Sequence, residues 1–266
     1  MELNRIYCCD NVEGMKRYLP DESIDLTVTS PPYDNLRTYE NTLDWNFEDV
    51  AAQLWRVTKV GGVVVWIVND AVIKGSETGT SFRQALHFKD LGFRLHDTMI
   101  MKKSGVNFNH GIRYTPTFEF MFIFSKSRPL KIHLIRDKKN AYGKKYSGGK
   151  RKHWENATPE CQIYEIGIRN NIWNVPVGFG HMSNDPIAHE HPAIFPESLA
   201  RDHIISWSNE GDIVLDPFMG SGTTAVAALS VNRKYIGFEK VPKYIEIAET
   251  RIQRYLEKPQ QTQLAI

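Results

Sequence analysis

The sequence has few cysteines and no long apolar run. Of its 266 residues only three are cysteine, and Cys8 and Cys9 are adjacent, so the chain has neither a disulfide framework nor a paired Cys-x-x-Cys zinc site. No segment has the basic, apolar and small-residue regions of a signal peptide, and no apolar run reaches membrane-spanning length. These absences argue against a disulfide-stabilised secreted protein and a membrane protein, and they predict a cytoplasmic location.

A strong net charge is also missing, since the formal value is only +2. The positive charge is nevertheless concentrated between positions 126 and 152, where eleven Lys and Arg residues stand against a single acid, Asp137. Such a block in an otherwise acidic chain favours contact with a polyanion. A run of like charges by itself is more typical of a solvated surface loop, so its interpretation depends on the other motifs.

Apolar patterns predict an α/β fold. Strands are predicted over 5–10, 23–28, 61–68, 93–101, 118–124, 212–215 and 235–239, and helices over 12–18, 47–58, 81–91, 197–207 and 224–230, with a last helix ending near 256. This alternation predicts a doubly wound, mostly parallel, seven-stranded sheet. The strands at 93–101 and 118–124 leave no room for a helix between them, which predicts one antiparallel strand.

The basic region does not share this pattern. Residues 129–190 are weakly periodic and predict an insertion outside the sheet. The insertion divides one domain into residues 1–128 and 191–257, and the Gln-rich residues 258–266 are expected to form a flexible tail. His181, His189, His191 and Cys161 have no metal-ligand spacing, so we expect no metal site.

An acid and a glycine turn follow the strand at 212–215. In Asp216-Pro-Phe-Met-Gly-Ser-Gly-Thr-Thr224, Gly220 and Gly222 allow a tight turn close to a ligand, and Glu239 ends the next strand, where an acid can bind both hydroxyls of a ribose. The turn alone also fits an NAD-dependent Rossmann oxidoreductase. Because Asp216 would repel a diphosphate and attract an ammonium group, the acid favours S-adenosylmethionine over NAD.

A proline corner ends the strand at 23–28. In Thr29-Ser-Pro-Pro-Tyr33 the two prolines offer no backbone N–H, so the oxygens of Ser30 and Pro31 stay available as acceptors, and the Tyr33 ring offers a stacking surface. These are the features that an exocyclic amine on a flat heterocycle needs for methyl transfer. Taken alone, however, a Pro-Pro corner is more often an ordinary loop.

Together the two motifs resemble those of the DNA amino-methyltransferases, which methylate cytosine N4 or adenine N6. The catalytic motif precedes the cofactor motif, as in the circularly permuted β arrangement of that Rossmann-like methyltransferase family. His191-Pro-Ala-Ile-Phe-Pro-Glu-Ser-Leu199 is also similar to the family segment that borders the methionine end of the cofactor.

The resemblance implies a role for each part of the chain. Residues 1–128 would form the catalytic part, 129–190 the target-recognition insertion and 191–257 the cofactor-binding part. S-adenosyl-L-methionine would be held by Asp10, Asp216, Phe218, Gly220, Gly222, Thr223 and Glu239. A base flipped out of double-stranded DNA would be held by Ser30, Pro31, Pro32 and Tyr33. DNA contacts are predicted for Arg37, Tyr39, Lys138, Lys139, Lys144, Lys145, Lys150, Arg151 and Lys152.

The target base follows less directly than the reaction class. Ser30 stands where the adenine enzymes of this family mostly carry Asp or Asn, so the resemblance favours cytosine N4 and leaves adenine N6 as the alternative. It also implies a prokaryotic or phage-encoded restriction-modification enzyme with a possible cognate endonuclease, and a possible homodimer. Two other classes stay open at this point: an NAD-dependent oxidoreductase, which leaves the proline corner unexplained, and a catalytically inactive DNA-binding module.

Overall fold

A computed structural model describes residues 1–32, 45–104, 111, 113–140, 146–147, 160–161, 165–176, 182–183, 185–192 and 194–257. Several predicted site residues lie outside these ranges, namely Tyr33, Arg37, Tyr39, Lys144, Lys145, Lys150, Arg151 and Lys152. The predicted tail at 258–266 lies outside them as well. The roles given to these residues therefore stay predictions.

Eight strands of the described chain form a single large sheet. In chain order they are β1 (Arg5–Cys8), β2 (Ile24–Thr29), β3 (Thr58–Val68), β4 (Arg94–Ser104), β5 (Phe118–Ser125), β6 (Ile172–Pro176), β7 (Ile213–Asp216) and β8 (Lys234–Glu239). Their order across the sheet is β1-β8-β7-β2-β3-β5-β4-β6. Strand β5 pairs antiparallel with β3 and β4, and the other pairings are parallel.

The predicted mostly parallel sheet with one antiparallel strand is confirmed, and β6 adds an eighth strand to the predicted seven. The weak periodicity of this segment predicts that it lies outside the sheet, and that prediction is wrong. β6 runs parallel to β4, with Trp173 opposite Met101, and it buries Trp173 and Val175. A five-residue strand that ends in Pro176 carries little local signal, because its strand conformation depends on pairing with β4 and on packing.

Six helices in the described ranges cover the two faces of the sheet. Helices α1 (Asn11–Tyr18), α2 (Phe47–Val57) and α3 (Thr80–Asp90) pack on one face. Helices α4 (Glu197–Trp207), α5 (Thr223–Leu229) and α6 (Pro242–Glu257) pack on the other. Strand β3 serves both layers, since Val64 and Trp66 face the first set of helices whereas Val65 and Ile67 face the second. Its continuous apolar run is therefore required by burial on both sides.

Short elements complete the described structure. Val72–Ile73 pairs antiparallel with Ser76–Glu77, Arg136–Lys139 with Ile166–Ile168, and Tyr146–Ser147 with Glu160–Cys161. A 3-10 turn at Pro186–Glu190 precedes α4. Among the residues described, no helix is both long and apolar enough to cross a membrane.

A buried carboxylate holds two lysines at the amino-terminal end of the sheet. Asp25 accepts hydrogen bonds from Lys59 and Lys131, each at 2.8 Å, and from the Ile213 N–H at 3.0 Å. Lys131 also donates to Asp212 at 2.6 Å. Burial raises the pKa of Asp25, but these hydrogen bonds outweigh it, so the net shift is downward. Lys131 is thus a member of the basic block whose charge is paired with Asp25 and Asp212.

The functional end of the sheet is the opposite one. Strands β1, β8, β7 and β2 are parallel neighbours, and their carboxyl ends are Cys8, Glu239, Asp216 and Thr29. From the centre, α5 leads from β7 to β8 on one face, and α2 leads from β2 to β3 on the other. The chain therefore turns in opposite directions between β7 and β2, which is the place where sheets of this kind bind ligands.

Candidate active site

Asp216 joins the proline corner to the glycine turn. One of its carboxylate oxygens accepts hydrogen bonds from the Thr29 hydroxyl at 2.7 Å and the Phe218 N–H at 3.0 Å. The other accepts from the Thr224 hydroxyl at 2.7 Å. Thr29 immediately precedes Ser30, and Thr224 lies in the first turn of α5. A single carboxylate therefore fixes the relative position of the two motifs that the sequence singles out.

The burial of this carboxylate sets its electrostatics. Asp216 is 1% exposed, and burial raises its pKa to about 6, while the three hydrogen bonds act in the opposite direction. Asp216 is not among the residues that line the pocket described below. Its three hydrogen bonds are all to groups of the protein, and the direct attraction of a ligand's ammonium group that the sequence predicts stays a prediction.

The glycine turn needs both of its glycines. Gly220 and Gly222 have φ values of +51° and +80°, which side-chain-bearing residues rarely adopt. A Cβ on Gly220 would lie 3.0 Å from Nε2 of His191, and a Cβ on Gly222 would lie 2.8 Å from the Cβ of Ala248 in α6. The turn is therefore packed tightly between the His191 ring and α6.

Glu239 holds the turn from the neighbouring strand. Its two carboxylate oxygens accept hydrogen bonds from the Gly220 N–H and the Val241 N–H, both at 2.9 Å. Burial raises the pKa of Glu239, and these backbone hydrogen bonds partly counter the shift. Since each carboxylate oxygen can accept more than one hydrogen bond, Glu239 retains the capacity to bind hydroxyl groups in the pocket.

One pocket brings these elements together. From the turn and β8 it is lined by Pro217, Phe218, Met219, Gly220, Ser221, Thr223, Phe238, Glu239 and Lys240. Its other described walls come from Cys9, Asn11, Ser30, Pro32, Trp45, His191, Ile194, Phe195 and Tyr244. Ser30 and Pro32 of the corner thus face the same space as Glu239. Pro31 is buried beside them and is not part of the described lining.

Asp10 lies at the edge of this pocket, with its side chain engaged elsewhere. It caps α1 by accepting from the Val12 N–H at 2.9 Å and the Glu13 N–H at 3.2 Å, and it pairs with Lys240 at 2.8 Å. Partial burial raises the pKa of Asp10, but the hydrogen bonds outweigh it and the net shift is downward. Among the described residues near this strand end, Cys9 and Asn11 line the pocket and Asp10 does not.

Two aromatic walls were not among the predicted site residues. The Trp45 ring meets Phe218 edge-on, with the ring centroids 4.9 Å apart, and the His191 ring meets Tyr244 at 4.3 Å. The His191 segment was recognised from its resemblance, whereas Trp45 and Tyr244 carry no motif of their own. Only the fold shows that they meet the turn, because each lies far from it in sequence.

The comparisons with known proteins agree with this geometry. A family model described as a DNA methylase, N6_N4_Mtase, matches residues 24–250. The chain is 54% identical to the orphan methyltransferase M.BamHII of Bacillus amyloliquefaciens, over 91% of this chain and 93% of the relative. The chain belongs to the N6/N4 DNA methylase family. It is a DNA methyltransferase, and the predicted dependence on S-adenosyl-L-methionine follows from the family.

More distant relatives and solved structures are also similar to this chain. The type II methyltransferase M.BglII of Bacillus subtilis is 29% identical, over 92% of this chain and 68% of its own length. The cytosine-N4-specific PvuII DNA methyltransferase superposes with a TM-score of 0.70 at 24% identity, covering 92% of this chain and 85% of that one. The Thermus thermophilus protein TTHA0409, complexed with S-adenosyl-L-methionine, gives 0.63 at 23% identity and covers 96% and 97%. The predicted methyltransferase fold is confirmed.

The pocket of this methylase fits an adenosine-type ligand. Its surface combines apolar side chains with the Glu239 carboxylate, which suits a ribose beside a flat base. Asn11 adds an acceptor, because its Nδ2 donates to the Pro217 carbonyl at 3.1 Å and its buried Oδ1 finds no partner among the described residues. An unpaired buried oxygen is costly, so a ligand donor near Asn11 would remove an existing penalty.

The described part of the basic insertion presents a positive edge. Lys138 and Lys139 are exposed on the short strand Arg136–Lys139, and Lys138 donates to the Asn170 side chain at 2.9 Å. Asp137, which precedes them, is held by Arg169, which also donates to Asp202 at 2.6 Å. The one acid of the block is therefore paired with an arginine, and Lys138 and Lys139 remain exposed beside it.

Proposed function

We propose that this DNA methyltransferase transfers a methyl group from S-adenosyl-L-methionine to the N4 amine of a cytosine flipped out of double-stranded DNA. The observation that carries the proposal is the shared pocket. Ser30 and Pro32 of the proline corner line the same space as Gly220 and Glu239 of the cofactor motif. A methyl donor held by one motif would therefore lie beside an amine held by the other.

The corner would act by positioning and by accepting hydrogen bonds. Pro31 and Pro32 have no backbone N–H, so no backbone donor at these positions competes with the target amine. The oxygens of Ser30 and Pro31 would accept the two amine hydrogens, which directs the nitrogen lone pair out of the ring system. Tyr33 would stack on the flipped base, and that role rests on the resemblance alone. No covalent link between protein and base is needed.

The cofactor would occupy the remainder of the pocket. Glu239 would accept hydrogen bonds from the ribose hydroxyls, and Phe218, Gly220 and Thr223 would form the adjoining wall. S-adenosyl-L-methionine supplies an electrophilic methyl group on a sulfonium centre. For Asp216 we propose an indirect role, in which it fixes Thr29 and the turn, and for Asp10 a role in holding Lys240 at the pocket wall.

Binding of DNA is proposed for the insertion and for the segment that follows the corner in sequence. Lys138 and Lys139 would contact phosphates, together with the predicted contacts at Arg37, Tyr39, Lys144, Lys145, Lys150, Arg151 and Lys152. A cognate endonuclease, a homodimer and the cytoplasmic location stay predictions.

The decisive experiment is incubation of the protein with unmethylated genomic DNA and labelled S-adenosyl-L-methionine, followed by nucleoside analysis. We expect N4-methylcytosine. Label recovered as N6-methyladenine would replace the proposed base by the alternative, because Ser30 would then serve an adenine amine. An absence of label in DNA from a protein that binds the cofactor would contradict the proposed reaction.

A matched pair of variants tests the corner itself. Ser30→Ala should lower the rate of methyl transfer by about 100-fold, the scale expected for the loss of one catalytic hydrogen-bonding group, while cofactor affinity is retained. Ser23→Ala is the control, since Ser23 lies just before β2 at the other end of the strand and its hydroxyl bonds the Pro20 carbonyl. Equal rates for the two variants would contradict the role of Ser30.

A further inference from the structure

A buried arginine lies directly behind the cofactor turn. Arg251 of α6 is 2% exposed, and its Nη1 donates to the Ser221 carbonyl and to the Ser221 hydroxyl at 3.0 Å, with the Thr223 hydroxyl at 3.4 Å. Ser221 and Thr223 line the pocket, whereas Arg251 does not. The guanidinium therefore contacts the pocket wall from its protein side.

The same guanidinium also contacts Ser183 and Glu197. Its Nη2 pairs with Glu197 at the start of α4 and lies 3.4 Å from the Ser183 hydroxyl, which itself donates to Glu197 at 2.5 Å. Glu197 belongs to the His191 segment, and His191, Ile194 and Phe195 of that segment form another wall of the pocket. Two stretches of chain that are distant in sequence are thus joined through one side chain.

An arginine suits this position better than any other cation. Its planar fork can donate in two directions at once and stays charged although burial lowers its pKa, a shift that Glu197 counters. Lysine offers a single ammonium, which cannot span Ser221 and Glu197 with the same geometry. Ala248, one turn earlier on α6, packs against Gly222, so this helix touches the turn at two levels.

We infer that Arg251 is a positioning residue for the S-adenosyl-L-methionine site, which holds the glycine turn and the start of α4 in the arrangement that binds the cofactor. This inference rests on the proposed use of the pocket. Without the fork, the Ser221 carbonyl and the Thr223 hydroxyl lose a charged donor. The glycine turn can then adopt conformations other than the one that binds the cofactor, and the apparent affinity for the cofactor falls because only part of the protein is in the binding conformation.

The test compares four variants of the full-length protein by calorimetric titration with S-adenosyl-L-methionine and by ligand-free thermal unfolding. They are Arg251→Met, Arg251→Lys, the double variant Arg251→Met with Glu197→Gln, and Arg254→Met. Arg254 is the matched control, because it lies one turn further along the same helix, is exposed, and pairs with Asp185 at 2.7 Å. The double variant removes both charges of the pair between the buried Arg251 and the partly exposed Glu197, so neither charge is left without the other.

We expect Arg251→Met to weaken cofactor binding by about tenfold or more, the equivalent of losing one charged hydrogen bond. Arg251→Lys should recover part of the affinity, and Arg254→Met should bind like the unaltered protein. The double variant should regain thermal stability relative to Arg251→Met and still bind weakly. The inference would be overturned if the double variant regained cofactor affinity together with thermal stability. It would also be overturned if Arg251→Met bound the cofactor as tightly as the unaltered protein. Failure of the unaltered protein to bind the cofactor would instead contradict the proposed function.

Discussion

The burial of Asp216 makes the free energy of unfolding depend on pH. In the folded protein its pKa is raised from the ordinary 3.8 to about 6, because burial disfavours the charged form more than Thr29, Thr224 and the Phe218 N–H favour it. A raised pKa means that the folded state binds the proton more tightly than the unfolded state. The resulting stabilisation is complete below pH 3.8 and is lost as the pH rises through about 6.

The magnitude follows from the size of the shift. A difference of about two pKa units corresponds to about 3 kcal/mol of unfolding free energy between the fully protonated and fully ionised limits. Between pH 5 and pH 8 the contribution of Asp216 to the unfolding free energy falls by about 1.4 kcal/mol, and most of this fall occurs near the folded-state pKa. Denaturant titration can resolve a change of this size when two variants are compared under identical conditions.

The measurement uses Asp216→Asn as its reference. This variant has no titrating group at position 216, while the acids that do not interact with Asp216 titrate in both proteins and cancel in the difference. We expect the unfolding free energy of the unaltered protein, minus that of Asp216→Asn, to fall by about 1.4 kcal/mol between pH 5 and pH 8. A constant difference across this range would refute the assignment of a raised pKa.

A second variant tests whether the Thr29 hydrogen bond lowers the pKa of Asp216. Thr29→Val keeps the volume of the side chain and removes a hydroxyl that donates to the carboxylate. Because that hydrogen bond favours the ionised form, its loss should move the fall in stability to a higher pH. A fall that stays at the same pH would show that the Thr29 hydrogen bond does not contribute to the pKa of Asp216.

Three further predictions concern other parts of the molecule. Gly220→Ala should weaken cofactor binding by about tenfold, because alanine is strained at φ +51° and its Cβ would lie 3.0 Å from the His191 ring. Titration with the cofactor measures this affinity. Replacing Lys138 and Lys139 by alanine should reduce the salt dependence of DNA binding by about 0.9 per lost phosphate contact, seen as a shallower slope of log K against log salt. His203 is fully buried, and burial lowers its pKa from 6.5 to about 3, so its neutral ring stabilises the folded protein above pH 6.5 and this stabilisation is lost as the pH falls. Between pH 8 and pH 5 the unaltered protein should therefore lose about 2 kcal/mol more unfolding free energy than His203→Phe, as measured by denaturant titration.

The fold was predictable where local patterns and burial agree. Strand β3 is an uninterrupted apolar run because both of its faces are covered, and α2 begins where Asn46 can accept from the Glu48 and Asp49 N–H groups. The glycine turn was predictable for a similar reason, since Gly220 and Gly222 are required by backbone conformation. Strand β6 escaped prediction because its conformation depends on β4, which lies about seventy residues earlier in the chain.

The sequence predicted which motifs form the candidate site, but it predicted few of the contacts that their side chains make. Asp10 has the residue type and position of a ligand-binding acid, but it is engaged by Lys240, which only the pairing of β1 with β8 brings near. The basic block likewise combined two kinds of residue. Lys138 and Lys139 are exposed, whereas Lys131 is held by Asp25 and Asp212 at the far end of the sheet. Composition cannot separate the two, because their difference lies in partners distant in sequence.

Asp216 shows why motif recognition and physical role can diverge. The residue type at this position identified a cofactor motif, and the predicted role was attraction between its charge and a ligand. The structure gives the carboxylate three internal donors and keeps it out of the pocket lining, so its strongest interactions are with Thr29, Thr224 and the Phe218 N–H. Those partners belong to the strand of the proline corner and to the cofactor turn. A residue that joins two motifs is constrained by both, so its identity can mark the site through these internal contacts, and its predicted contact with the cofactor stays a prediction.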